Sequence, residues 1–308
     1  MAKRKADRPT PPHAEDQRDE DAQAPPASPD PAGSEKKSRR QRGAAKTPGQ
    51  HPPVRLKIRR QDAPDKPETR RWETFEVEYL PRMNVISALQ QIQKHPVTVA
   101  GVEVAPVVWD CSCLEEVCGA CTMVINGRVR QACSALVDEI SPKGKPIVLE
   151  PMRKFPLVRD LMVDRTRLFE SLKRVKAWIE LDTAHPLGPG PRQSQQLQEE
   201  LYPLSRCMSC GCCLEACPQY GPHSDFVGAA VISQVRLFNA HPTGALQKGE
   251  RLEAIMGPGG IGDCGKTQNC VEVCPLQIPL VDSIQHVAGE TSRRFVLSWL
   301  LGWSSHDD

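Results

Sequence analysis

The chain has 308 residues, and its 40 Lys and Arg nearly cancel 38 Asp and Glu to leave a formal net charge of +2, which gives no global argument for nucleic-acid binding. Its longest apolar run, Phe295 to Trp303, is broken by Ser298 and Gly302 and falls short of the roughly 20 residues that span a bilayer. The start of the chain shows no secretory signal, so the protein is expected inside the cell, where disulfides are disfavoured and its 13 cysteines, none before residue 111, point to metal ligation.

Pro, Ala, Ser and charged residues make up nearly all of residues 1 to 53. Such a segment has little to bury against chain entropy and reads as a disordered tail. Its basic clusters, Lys3 to Lys5 and Lys36 to Arg42, are separated by an acidic stretch at 15 to 21 and read as solvated charge blocks rather than a site for anionic lipid or nucleic acid.

From Val54 the run Val-Arg-Leu-Lys-Ile-Arg alternates apolar and polar residues, which predicts a half-buried strand. A second strand is expected over Trp72 to Tyr79, after a turn holding Pro64 and Pro67. Asn84 can cap a helix to about Lys94, with Val85, Ile86, Leu89 and Ile92 on one face. Strand, strand, helix is how a β-grasp ferredoxin begins. Asn126-Gly127 between Thr122 to Ile125 and Val129 to Ala132 is a strong hairpin signal, and Ile147 to Leu149 adds a short strand. Leu157, Leu161, Leu168, Leu172 and Val175 then point to helices, with a loop at Gly188-Pro189-Gly190-Pro191. The expected organisation is α+β: the tail at 1–53, a β-grasp plant-type ferredoxin domain at 54–150, an all-α bacterial-ferredoxin-like domain with two clusters at 151–290, and a C-terminal extension at 291–308.

The cysteines fall into three runs. The first, Cys113, Cys118 and Cys121 with Cys133 on the far side of the hairpin, has the C-x4-C-x2-C spacing of a plant-type [2Fe-2S] site. A four-cysteine zinc site, the alternative, usually pairs its ligands two by two. Gly119 is expected to let backbone approach the inorganic sulfurs. The second run, Cys207, Cys210, Cys213 and Cys217-Pro218, is the bacterial ferredoxin signature, whose last Cys ligates the other cluster. Its partner is Cys264, Cys270 and Cys274-Pro275, where Thr267 stands in the place of the middle cysteine. Ligand crossover then gives Cys207, Cys210, Cys213 and Cys274 to a [4Fe-4S] cluster. Cys217, Cys264 and Cys270 remain for a [3Fe-4S] cluster, with a Thr267 oxygen or water on a fourth iron left open. Cys111 and Cys212 are left over and read as buried packing residues. Neither His185 nor His241 follows a metal spacing. No Rossmann glycine motif or P-loop is visible, so flavin and nicotinamide chemistry would belong to partners.

A plant-type domain followed by a helical double-cluster domain is similar to the iron-sulfur subunit of succinate dehydrogenase and fumarate reductase, over residues 54 to about 290. Residues 113 to 127, 158 to 165 and 236 to 245 resemble the succinate:menaquinone branch with a di-haem cytochrome b anchor. The resemblance implies electron transfer from FAD on a flavoprotein subunit through [2Fe-2S], [4Fe-4S] and [3Fe-4S] to quinone at a membrane anchor carrying haem b. It implies a peripheral place on the cytoplasmic side of the membrane, and no nucleic-acid partner. Pro218, Tyr220 and Gly265 stand where ubiquinone-type members carry Trp and His near the quinone, which favours menaquinone. The readings kept beside it are the same subunit in a fumarate reductase, a free-standing multi-cluster carrier, and a zinc-binding interaction module.

Overall fold

The computed structural model describes residues 52–180, 188 and 190–301. Residues 1–51 of the expected tail, His185 and the end of the last apolar run, Gly302 and Trp303, lie outside them.

The alternation read at Val54 becomes β1 (Val54–Arg60), whose Leu56 and Ile58 are fully buried. It pairs antiparallel with β2 (Arg71–Val77) in the register Val54 with Val77 and Arg60 with Arg71. Helix α1 (Val85–Lys94) follows, and Asn84 caps it by accepting the Ser87 N–H at 2.9 Å. Val85, Ile86, Leu89 and Ile92 form its buried face. Strands β3 (Thr122–Ile125) and β4 (Arg128–Gln131) make the hairpin. Asn126 and Gly127 at its tip both have positive φ, 51° and 81°, as a two-residue hairpin turn requires. After the short helix α2 (Val137–Ile140), strand β5 (Ile147–Glu150) enters parallel to β1 and antiparallel to β3. The sheet order is β2-β1-β5-β3-β4.

The structure departs from the expected helices at Leu157 and Leu161. Leu157 lies in β6 (Leu157–Arg159), which pairs with β7 (Met162–Val163), and Leu161 is buried in the sheet-side core. Asp160 causes the difference. It turns the chain at φ 48°, is fully buried against Arg60 at 2.8 Å, and accepts the N–H groups of Gln61 and Val108. A buried carboxylate with that many partners fixes a turn that leucine spacing cannot register.

The helical part of the chain begins at α3 (Thr166–Arg174), where Asp164 accepts the Thr166 N–H at 2.8 Å. It continues as α4 (Gln195–Ser205), α5 (Cys212–Glu215), α6 (Ala229–Ala240), α7 (Lys248–Met256), α8 (Asn269–Glu272) and α9 (Leu280–Leu301). The most buried of these is α6, apolar from Ala229 through Ile232, and it packs against α4, α7 and α9. Fully buried Arg251 clamps this layer by donating to the carbonyls of Lys176, Trp178 and Gly244. Val124 and Val129 of the hairpin, with Met152 and Phe155, share the helical core. Helix α9 runs past residue 290 without a break, and its last turns leave Phe295, Leu297, Trp299 and Leu300 exposed.

Candidate metal centres

Three cysteine groups sit where loops meet the ends of short elements. In the first, Leu114, Glu116 and Gly119 all take positive φ, which curls residues 113 to 121 so that successive N–H groups face inward. Glu115, Val117 and Cys118 donate to the Cys113 sulfur at 3.3 to 3.4 Å, and Cys113 and Ala120 donate to the Cys118 sulfur at 3.5 Å. Those backbone donors, that of Glu115 foremost, hold the Cys113 thiol down at about 7. Cys121 and Cys133 are buried side by side, and burial pushes Cys121 up to about 12. The Asn84 amide donates to the Cys133 carbonyl at 2.8 Å, so the cap of α1 also anchors the last cysteine of the set. Cys111 lies at the rim of this group, raised by burial and then by Asp110 and its cysteine neighbours.

The second and third runs carry matching backbone turns. Ser209 and Gly211 have positive φ in one, Lys266 and Gln268 in the other. Each turn leads into a short helix, α5 or α8, and these two helices pack together. The packing brings Cys274 to the first run: Cys207, Cys210, Cys213 and Cys274 line one small cavity with Ala230 and Ile278. Burial pushes the Cys213 thiol well up, and Cys210, Cys207 and Cys274 beside it add to the effect. Cys270, raised first by burial, has Cys217 and Cys264 as its cysteine neighbours. Ile278 donates its N–H to the Cys274 sulfur at 3.4 Å. Thr267 is exposed on the loop between Cys264 and Cys270.

The remaining residues singled out from sequence take different places. Pro218 and Gly265 are exposed, and a Cβ on Gly265 would meet the Gln219 amide at 2.7 Å. Tyr220 is buried at 2% exposure between Phe155 and the Arg167 guanidinium. His241 accepts the Gly244 N–H.

Two features go beyond the reading of the cysteines. A Cβ on Gly119 would lie 2.6 Å from both Cα and Cβ of Cys210, so the missing side chain makes room for the second cysteine loop. Cys212 does more than fill space. It is fully buried and accepts from the Gln131 amide at 3.4 Å, and its side chain, lying beside Cys210, is the first cause that holds that thiol down to about 7. Neither was visible in spacing, because each depends on a partner from the other part of the chain.

Among the described residues no three His, Cys, Asp or Glu side chains close on one point to hold a single metal ion. A cluster sets its thiolates at the corners of an iron–sulfur core, and loops that offer spaced sulfurs with inward N–H donors fit such a core. The fold and these centres define an iron–sulfur protein with one sheet-borne site and a helical pair of sites.

The comparisons with known proteins agree. A family model described as a 2Fe-2S iron-sulfur cluster binding domain matches residues 55–170, and a 4Fe-4S dicluster domain matches residues 203–278. The chain is 55% identical over 239 residues to the succinate dehydrogenase iron-sulfur subunit of Bacillus subtilis, covering 78% of this chain and 92% of that one. It is 30% identical over 229 residues to the fumarate reductase iron-sulfur subunit of Wolinella succinogenes, covering 74% and 91%. The solved Mycobacterium smegmatis Sdh1 complex in the apo form has a chain of the same fold, with a TM-score of 0.67 and 21% identity over 79% of this chain and 96% of that one. The chain therefore belongs to the family of iron–sulfur subunits of succinate dehydrogenase and fumarate reductase.

Proposed function

We propose that the chain is the electron-transfer subunit of a succinate:quinone oxidoreductase, set between a FAD flavoprotein subunit and a cytochrome b membrane anchor. Bound clusters supply one-electron donor and acceptor chemistry. The chain's own residues hold them in order, insulate them and tune them through N–H donors. Cys113, Cys118, Cys121 and Cys133 would hold the [2Fe-2S] cluster of a β-grasp domain. Cys207, Cys210, Cys213 and Cys274 would hold a [4Fe-4S] cluster, and Cys217, Cys264 and Cys270 a [3Fe-4S] cluster. The observation that carries this reading is the exchange of last cysteines: Cys274 lies with the 207 to 213 run, while Cys217 lies beside Cys270. With Thr267 on the exposed face of that last set, the [3Fe-4S] site is the natural quinone-facing end, near Pro218 and Gly265.

No helix among the described residues is long and apolar enough to cross a membrane, which suits a peripheral subunit on the cytoplasmic side of an anchor. Helix α9 ends in exposed Phe295, Trp299 and Leu300, apolar surface of the kind an anchor covers. EPR on the anaerobically purified complex tests the assignment. The expected result is a [3Fe-4S] signal in the oxidised state, with [2Fe-2S] and [4Fe-4S] signals after dithionite. Two [4Fe-4S] clusters and no [3Fe-4S] signal would overturn the ligand set. Succinate oxidation compared with fumarate reduction, using the native quinone, separates the dehydrogenase from the reductase.

A further inference from the structure

Gln131 ends strand β4 and is fully buried. Its amide Nε2 donates to Thr122 Oγ1 at 3.2 Å and to the Cys212 sulfur at 3.4 Å. Thr122 Oγ1 in turn donates to the Gly119 carbonyl at 2.7 Å. The Gly119 carbonyl also accepts from Arg165 at 2.9 Å. Cys212 follows Cys210 across the single residue Gly211, and the Cys210 backbone and Cβ fill the space above Gly119. These contacts close a ring that joins the loop of the first cysteine set to the loop of the second. Packing alone does not account for Gln131, because its Oε1 is buried without a partner, a cost of about 1–3 kcal/mol that a Met or Leu would avoid. What the amide supplies is a donor aimed at sulfur.

We propose that Gln131 and Cys212 are positioning residues for electron transfer between the first two clusters, holding the Cys210 loop against Gly119 and placing hydrogen-bond donors beside the Cys210 ligand. The inference rests on Cys210 being a ligand of the [4Fe-4S] cluster. Hydrogen bonds to ligand sulfur stabilise the extra negative charge of the reduced cluster, and so raise its potential. Neither residue is a ligand, so each can be replaced without removing iron.

The test is a redox titration followed by EPR on the purified complex, for Cys212→Ala, Cys212→Ser and Gln131→Met. In Cys212→Ala and Gln131→Met the [4Fe-4S] midpoint potential shifts downward, while the [2Fe-2S] and [3Fe-4S] potentials stay in place. Cys212→Ser keeps a donor and returns the [4Fe-4S] potential toward that of the unaltered complex. Iron and sulfide content establishes that each variant is fully loaded, and if Cys212→Ala does not assemble, Gln131→Met decides. Unmoved potentials in the loaded variants, or equal shifts of all three clusters, would overturn the proposal. An unaltered complex with no [4Fe-4S] signal would instead remove the ligand assignment beneath it.

Discussion

At Gly119 a single missing side chain governs how two cluster loops meet. The residue combines a φ of 68° with a Cβ position 2.6 Å from the Cys210 backbone, so Gly119→Ala meets two penalties at once. Left-handed backbone costs an alanine about 1–2 kcal/mol, and forced overpacking costs about 1–3 kcal/mol more. A loss of about 3 kcal/mol lowers the thermal midpoint by roughly 6–12 °C in a protein of this size. Differential scanning calorimetry checks this, and a shift under 2 °C would mean that Cys210 is free to move away. At Thr267 the change is chemical rather than steric. The side chain is exposed and stands where a matching run carries cysteine, so Thr267→Cys is expected to convert the third site toward [4Fe-4S], lowering its potential and slowing quinone reduction. Persistence of an undiminished oxidised-state [3Fe-4S] EPR signal would count against it. Thr267 was legible from sequence because the two runs can be laid over each other, whereas Gly119 was legible only as a place where backbone can approach the inorganic sulfurs. Its actual neighbour lies in the other loop, beyond the reach of spacing.

Among the elements, the start of α1 carries a double duty that makes it separable by mutation. Asn84 accepts the Ser87 N–H with its oxygen and donates to the Cys133 carbonyl with its nitrogen. Asn84→Ala loses both, at about 2 kcal/mol for a cap and a partly buried hydrogen bond. Asn84→Asp keeps the cap and loses only the tie to Cys133. We therefore expect Asn84→Ala to lower both the thermal midpoint and the lifetime of the [2Fe-2S] absorbance under air, and Asn84→Asp to shorten chiefly the lifetime. Equal lifetimes in the two variants and the unaltered complex would show that the Cys133 carbonyl needs no anchor. The cap, the Asn126-Gly127 hairpin and the alternation of β1 were all readable in sequence, because each is decided by residues a few positions apart. The β6–β7 hairpin was not, since Asp160 is held by Arg60 from the first strand and local periodicity carries no trace of that pair. Arg251 is a second long-range clamp of this kind. Arg251→Met would leave the carbonyls of Lys176, Trp178 and Gly244 unpaired, at about 3 kcal/mol in all, a loss read as a lower denaturation midpoint in urea.

Across the whole molecule the decisive relation is between two cysteine runs whose short helices pack against each other. The helices α5 and α8 pack together, and that contact carries Cys274 into the cavity of Cys207, Cys210 and Cys213. If ligands instead stayed within their own runs, Cys217 would complete the second site and Cys274 the third. Cys274→Ala distinguishes the two arrangements. With exchanged ligands the variant loses the [4Fe-4S] signal and, because the same helix contact is loosened, part of the [3Fe-4S] signal. The [2Fe-2S] signal is expected to survive, since the ligands proposed for it lie between residues 113 and 133 on the hairpin and its loop. With unexchanged ligands the variant would lose the [3Fe-4S] signal alone and keep [4Fe-4S]. Quantified EPR of the reduced and oxidised complex reads all three at once.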